Sequence, residues 1–151
     1  MVTIRQAQVS DLPCVQDCNL HCLPENYNLK YYLYHATTWP QLLWVAEDHG
    51  QIVGYVLSKM EEQSSGPSHG HITSVAVLRT HRKLGLATRM MKLAHKMMKE
   101  VFNAKYCSLH VRESNVAALH LYKQTLGYHV QATEKAYYAD GESAFVMQLD
   151  F

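Results

Sequence analysis

The stretch running from His69 to Glu100 constrains the fold most. Residues 71–78, HITSVAVL, are β-branched and apolar with little alternation, the pattern of a strand buried on both faces. From Leu86 the apolar residues recur at Leu86, Met90, Leu93, Met97 and Val101, which is helical spacing. Between strand and helix lies the basic turn Arg82-Lys83-Leu84-Gly85-Leu86-Ala87, followed by Thr88. A strand that delivers a turn to a helix start makes an anion site. Free N–H groups converge there and the helix dipole favours negative charge. Gly85 and Ala87 leave the main chain open to a phosphate, and Arg82 and Lys83 add positive charge. A plain βα turn with solvated basic side chains fits the same residues. The dinucleotide fingerprint G-x-G-x-x-G and the P-loop Gly-Lys-Ser/Thr are both missing from this turn.

A chain of 151 residues predicts one domain, residues 1–151, with a core of ordinary apolar content. A formal net charge of only +1 argues against a large nucleic-acid surface. Residues 1–8 show no apolar signal core and no run is long enough to span a membrane, so the expected location is cytoplasmic, or also nuclear, with reduced thiols. Cys14, Cys18 and Cys22 fall at i, i+4, i+8 and predict a buried helix stripe; without a C-x-x-C pair, a metal site is the weaker alternative. His69 and His71 point the same way on a strand but have no evident third ligand, so no metal is expected.

In chain order, residues 2–8 predict a strand. Ser10-Asp11 offers an N-cap for a helix carrying Leu12, Val15, Cys18 and Cys22, which Pro24 interrupts. Residues 28–37 predict a short second helix. Residues 42–47 and 51–60 predict strands joined by the hairpin signal Asp48-His49-Gly50, and residues 61–68 a loop. The central strand and helix follow, then a strand at 106–111. A helix capped by Ser114 or Asn115 runs to Leu126 and stops at Gly127, and strands at 128–135 and 143–149 complete the chain. This order predicts an α/β fold with a mixed central sheet of about seven strands and about four helices on both faces.

Arg82-x-x-Gly85-x-Ala87 after an apolar strand resembles the acyl-coenzyme A pyrophosphate loop of the GCN5-related N-acetyltransferases. The likeness extends along the chain. Leu23-Pro24-Glu25-Asn26-Tyr27, Lys30-Tyr31-Tyr32, Trp39-Pro40-Gln41, Val53-Gly54-Tyr55-Val56, residues 69–74, Ser108-Leu109-His110-Val111-Arg112 and residues 137–142 resemble the catalytic-subunit family of N-terminal acetyltransferase A complexes. The resemblance implies splayed central parallel strands that admit acetyl-CoA, used as co-substrate without a metal. It implies acetyl transfer to the α-amino group of nascent protein N-termini. Acidic N-termini are implied for the chain alone, and Ser, Ala, Thr or Gly N-termini with a helical-repeat auxiliary subunit, which also implies ribosome association. No direct nucleic-acid or membrane partner is implied. A lysine or small-amine acetyltransferase, and an inactive coenzyme-binding module, are the alternatives.

The same resemblance implies site roles. Glu25 is the expected general base, acting through a water or with a raised pKa, and capping of the second helix is its alternative. Tyr122 is the expected acid for the leaving thiolate, or else a half-buried helix aromatic. Asn115 is expected on the pantetheine arm. Backbone N–H groups of Val75, Ala76 and Val77 are the expected oxyanion donors. Strand alternation puts Thr73, Val75 and Val77 on one face and Ser74 and Ala76 on the other. His110 is expected to relay protons or to be a satisfied core histidine. Leu23, Pro24, Glu25, Tyr27, Arg112, Tyr137 and Tyr138 are expected to line the peptide groove. Arg112 either meets an acidic first residue or forms a strand-end ion pair. The run Tyr31-Tyr32-Leu33-Tyr34 suits either the auxiliary-subunit interface or packing against the sheet. Val116 and Glu113 depart from the basic residues common at those positions in relatives, and Phe151 ends the chain where many relatives continue into a polar tail.

Overall fold

The structure, a computed structural model, describes residues 1–62 and 66–151. Its strands are β1 (Val2–Gln6), β2 (Leu43–Asp48), β3 (Gln51–Glu61), β4 (His69–Val77), β5 (Tyr106–Arg112), β6 (His129–Glu134) and β7 (Ala144–Asp150). The helices are α1 (Leu12–Cys22), α2 (Leu29–Thr38), α3 (Leu86–Glu100) and α4 (Val116–His120). The strands form one sheet in the order β1-β2-β3-β4-β5-β7-β6, antiparallel everywhere except β4–β5. Of the loop expected at 61–68, residues 63–65 lie outside the described residues, and Glu61 ends β3.

The hairpin signal holds in detail. His49 and Gly50 both take left-handed φ, 50° and 80°, the two-residue turn whose twist matches antiparallel strands. The strand with a continuous buried run is β3, whose residues 52–58 are all covered. In β4 the expected double burial fails, because His71, Thr73 and Val75 are only half-buried.

Two cores flank the sheet. On one face α3 packs Leu86, Met90, Met91, Ala94 and Met98 against Ile72, Val56 and Leu109. The expected α3 stripe is thus rotated: Leu93 and Met97 flank it and Val101 is exposed. On the other face α1 and α2 place Leu12, Val15, Cys18 and Tyr32 against Val45, Tyr55 and Leu57. The cysteine stripe is a correction too. Cys14 is exposed, Cys18 buried and Cys22 half-buried. Each four-residue step advances about 40° around a 3.6-residue helix, so the two steps from Cys14 to Cys22 spread the three side chains over about 80°. Asp11 does not cap α1 with its carboxylate. It accepts two hydrogen bonds from Arg5, at 2.7 and 2.9 Å, and one from the Gln8 N–H at 2.8 Å.

The last helix changes pitch. After Asn115 caps α4, residues Leu121–Thr125 form a π-turn that carries Tyr122, and Gly127 ends it at φ 85°.

Candidate active site

β4 and β5 pair over three residues only: Gly70, His71 and Ile72 lie opposite Cys107, Ser108 and Leu109. The next residue of β4, Thr73, is an extra one. The β3 register passes from Ser58↔Ile72 to Leu57↔Ser74 and leaves Thr73 bulged. A bulge adds local twist and breaks the ladder, and beyond it β4 and β5 diverge. The opening is a cleft of about 770 Å³ at the carboxyl ends of the two parallel strands, the place where open α/β sheets hold ligands.

The bulge also overturns the expected face alternation. Val75 and Val77 join Ile72 in the α3-side core, whereas Thr73 points to α2 and bonds His35. Ser74 stays on the α1 side, where its hydroxyl meets the Tyr55 hydroxyl at 2.7 Å. The Leu78 N–H reaches Val53 O at 2.8 Å. The two-residue period then turns the N–H groups of Val75 and Val77 toward the opened edge and that of Ala76 toward β3. Two of the three expected oxyanion positions therefore remain available.

The anion turn lies beyond the end of β4, outside the lining of the main cleft. Gly85 takes φ 75° and Lys83 φ 65°. The first intrahelical bond runs from the Arg89 N–H to Gly85 O at 3.1 Å. The N–H groups of Gly85, Leu86, Ala87 and Thr88 thus have no intrahelical partner and project at the helix start. A Cβ on Gly85 would meet nothing within 4 Å, so its backbone angle, not crowding, calls for glycine. Arg82 is tied back: its Nε donates to Val77 O at 2.9 Å, which leaves its Nη groups for a ligand. Lys83 and Leu84 are exposed, while Leu86 is buried and anchors the turn. Four free N–H groups beside two cations fit a diphosphate.

Glu25, Tyr122 and His110 all line the one cleft, as do Leu23, Pro24, Tyr27, Tyr137, Tyr138, Asn115, Val75 and Arg112. Ala76 and Val77 do not. Glu25 does not cap α2; Asn28 does, accepting the Tyr31 N–H at 3.0 Å. Instead Glu25 Oε1 accepts Arg112 Nε at 2.9 Å and Nη2 at 2.6 Å. Arg112 Nη1 donates to Asp140 at 2.7 Å and to Glu142 at 2.9 Å, and the guanidinium lies 4.1 Å from the Tyr138 ring centroid. Its strand-end ion-pair role is therefore the one observed, and the chain's own carboxylates occupy the donors an acidic substrate residue would need. Glu142 is held below its ordinary value by hydrogen bonds from Ser114 and then Arg112, and Asp140 by the Glu142 N–H and then Arg112. Burial pushes Tyr138 up to about 12, helped by Glu25.

Tyr122 is 7% exposed, and burial pushes its phenol up, helped by Tyr138. It therefore stays protonated. Since a thiol ordinarily titrates near 8.5, the phenol suits hydrogen bonding to a thiolate more than outright proton delivery. Asn115 spends its side-chain oxygen on the Ala118 N–H, at 3.2 Å. His110 is not a core histidine. Its ring stacks on Tyr137 with centroids 4.4 Å apart, and Nε2 sits 3.3 Å from Glu134. Sequence reasoning gave no site role to His71, Ser108 or Lys59, which also line the cleft. His71 Nδ1 lies 2.9 Å from the Ser108 hydroxyl, and burial lowers its pKa to about 4. The available signal was the alternate placement of His71, Ser108 and His110 on two strands that pair. Among the described residues, no group of three or more metal-ligating side chains converges.

The chain matches the acetyltransferase (GNAT) family over residues 12–128. The N-terminal acetyltransferase A complex catalytic subunit NAA10 of Arabidopsis thaliana is 63% identical over 149 residues, covering 98% of this chain and 77% of that protein. Among solved structures, Naa20 of Chaetomium thermophilum in complex with a bisubstrate analogue superposes with a TM-score of 0.87 at 32% identity, covering 99% of this chain and 86% of that one. The NatB acetyltransferase complex bound to CoA and MES gives 0.83 at 32% identity, covering 99% of each. The chain therefore belongs to the acetyltransferase (GNAT) family, in the group of N-terminal acetyltransferase A complex catalytic subunits.

Proposed function

We propose that this chain transfers the acetyl group of acetyl-CoA to the α-amino group of polypeptide N-termini. The single observation that carries the proposal is the β4–β5 opening, a cleft walled by Glu25, Tyr137 and Tyr138, with an anion-binding helix start beyond the end of the same strand β4. The thioester supplies the electrophilic acetyl group. The N–H groups at the start of α3, with Arg82 and Lys83, hold the diphosphate and so aim the donor along the opened edge of β4. The Val75 N–H, on the cleft-lining part of the opened edge, faces the position where negative charge develops on the carbonyl oxygen, and the Val77 N–H lies farther along the same edge. Glu25, held by Arg112 at the groove wall, accepts the amine proton directly or through a water. An α-amine titrates near 8, so a modest base suffices. Tyr122 hydrogen-bonds the leaving sulfur. His110, stacked under Tyr137, lies where it can pass a proton to Glu134.

The finer reading takes the chain into a complex. Leu20 on α1 and Leu29, Leu33 and Tyr34 on α2 are exposed, while Tyr32 of the same run fills the core, so different faces of α2 serve packing and docking. A helical-repeat auxiliary subunit seated there would bear on the loop holding Glu25. Work at the ribosome in the cytoplasm follows from that partnership. Acidic N-termini are the expected substrates of the isolated chain, and Ser, Ala, Thr and Gly N-termini those of the complex.

The test is acetyl-CoA with Ser-, Glu- and Lys-presenting peptides, with and without the auxiliary subunit, following thiol release. Transfer to the α-amine, shifting from Glu toward Ser when the subunit is added, is expected. Transfer only to the lysine side chain, or coenzyme binding without turnover, would refute it.

A further inference from the structure

His35 has no role so far, yet it is fully buried and placed to act on the cleft. It sits on α2 among the rings of Tyr31, Tyr34 and Trp39. Its Nδ1 lies 3.0 Å from Tyr31 O, and its Nε2 lies 2.9 Å from the Thr73 hydroxyl oxygen. A carbonyl oxygen only accepts, so Nδ1 must carry the proton. Nε2 of the neutral ring is then an acceptor, and the Thr73 hydroxyl donates to it. Burial lowers the pKa of His35, which is consistent with the neutral ring.

Thr73 is the bulged residue at the point where β4 leaves β5, and it lines the cleft. With its single proton committed to His35, its oxygen can offer the cleft only lone pairs. We infer that the Thr73 hydroxyl, fixed by His35, accepts an N–H of the incoming α-amine and so turns the nitrogen lone pair toward the thioester. The inference rests on the acetyl transfer proposed above and adds an orienting contact to it. Thr73 touches the substrate, and His35 is a positioning residue. The pair is not a proton sink: His35 is sealed from solvent and Nδ1–H is occupied, so a proton delivered there has no exit. The same bond ties α2 to β4, which couples the face of α2 open to a partner with the orientation of the amine.

The experiment is steady-state transfer to one accepted peptide by the wild type, Thr73→Val, Thr73→Ser and His35→Gln. Valine keeps the shape of threonine without its hydroxyl. For Thr73→Val, kcat is expected to fall about tenfold or more, with KM for acetyl-CoA within about twofold, because the donor is gripped elsewhere. Thr73→Ser restores the acceptor and should stay within about threefold. In His35→Gln the amide oxygen can still receive the hydroxyl proton, so an intermediate kcat is expected from folded protein. A folded Thr73→Val with wild-type kcat, or Thr73→Ser as slow as Thr73→Val, overturns the inference. Absence of transfer by the wild-type chain, alone and with its partner, would instead refute the activity on which it rests.

Discussion

In the short paired stretch of β4 that precedes the opening, Gly70 faces α3 with no room to spare. A Cβ built on it collides with Met98 Sδ and stands 2.8 Å from Cε and 2.9 Å from Cγ. Carbon atoms pack comfortably at roughly 3.5–4.0 Å, so the Met98 sulfur must retreat by roughly 1.5 Å or more. It has nowhere to go, because it is fully buried in one core with Met90, Met91 and Ala94. The φ of Gly70 is not left-handed, so alanine suffers no backbone strain and the effect is steric. Overpacking of this kind costs about 1–3 kcal/mol. In a chain of 151 residues, about 2 kcal/mol lowers Tm by roughly 4–8 °C. Urea unfolding of Gly70→Ala, Met98→Ala and the double variant measures it. Met98→Ala alone should cost about 2–5 kcal/mol by leaving a cavity. In that background the added methyl fills space rather than colliding, so the cost of Gly70→Ala should nearly vanish, a coupling of more than about 1 kcal/mol. A Gly70→Ala cost below about 0.5 kcal/mol, or one equal in both backgrounds, would refute the reasoning.

Glu25→Gln keeps a polar side chain against Arg112 but removes the base, so kcat should drop by about 100-fold with an unchanged circular dichroism spectrum; wild-type turnover would exclude Glu25 from proton transfer. For Tyr122→Phe, kcat should fall roughly tenfold while peptide KM barely moves, and the opposite split would make Tyr122 a binding residue only. His95, buried on α3 with Nε2 at 2.6 Å from the Tyr128 hydroxyl, is lowered from 6.5 to about 4 by burial. The unfolded chain therefore protonates first on acidification. The stability contributed by neutral His95 is complete above about pH 6.5 and is lost toward pH 4, up to about 3 kcal/mol. Comparing denaturant midpoints of the wild type and His95→Gln across that range isolates this share, and a stability difference that does not change with pH would count against it.

Periodicity and turn chemistry were legible because they are local. The helical spacing from Leu86, the stop at Gly127 and the 49–50 hairpin each follow from a few neighbouring residues. Thr73 was misplaced because alternation presumes an unbroken ladder, and a bulge depends on what the neighbouring strand does. The role of Arg112 was half-legible. Its charge marked it, but its partner Glu25 lies 87 positions away, and only the folded sheet brings them together. Cys14 was misread because a four-residue step drifts around a helix, and His35 was passed over inside an aromatic run whose partner, Thr73, sits on another element.

The four-way grip of Arg112 has a mechanical corollary. The segment between α1 and α2 and the segment between β6 and β7 form opposite banks of the groove, and one guanidinium moors both to the tip of β5. Neither bank can drift alone: a push on the first tugs its counterpart through a rigid planar fork. The gap between them is thus governed by a single cationic strut, and whatever leans on α1 and α2 from outside resets the aperture as a unit.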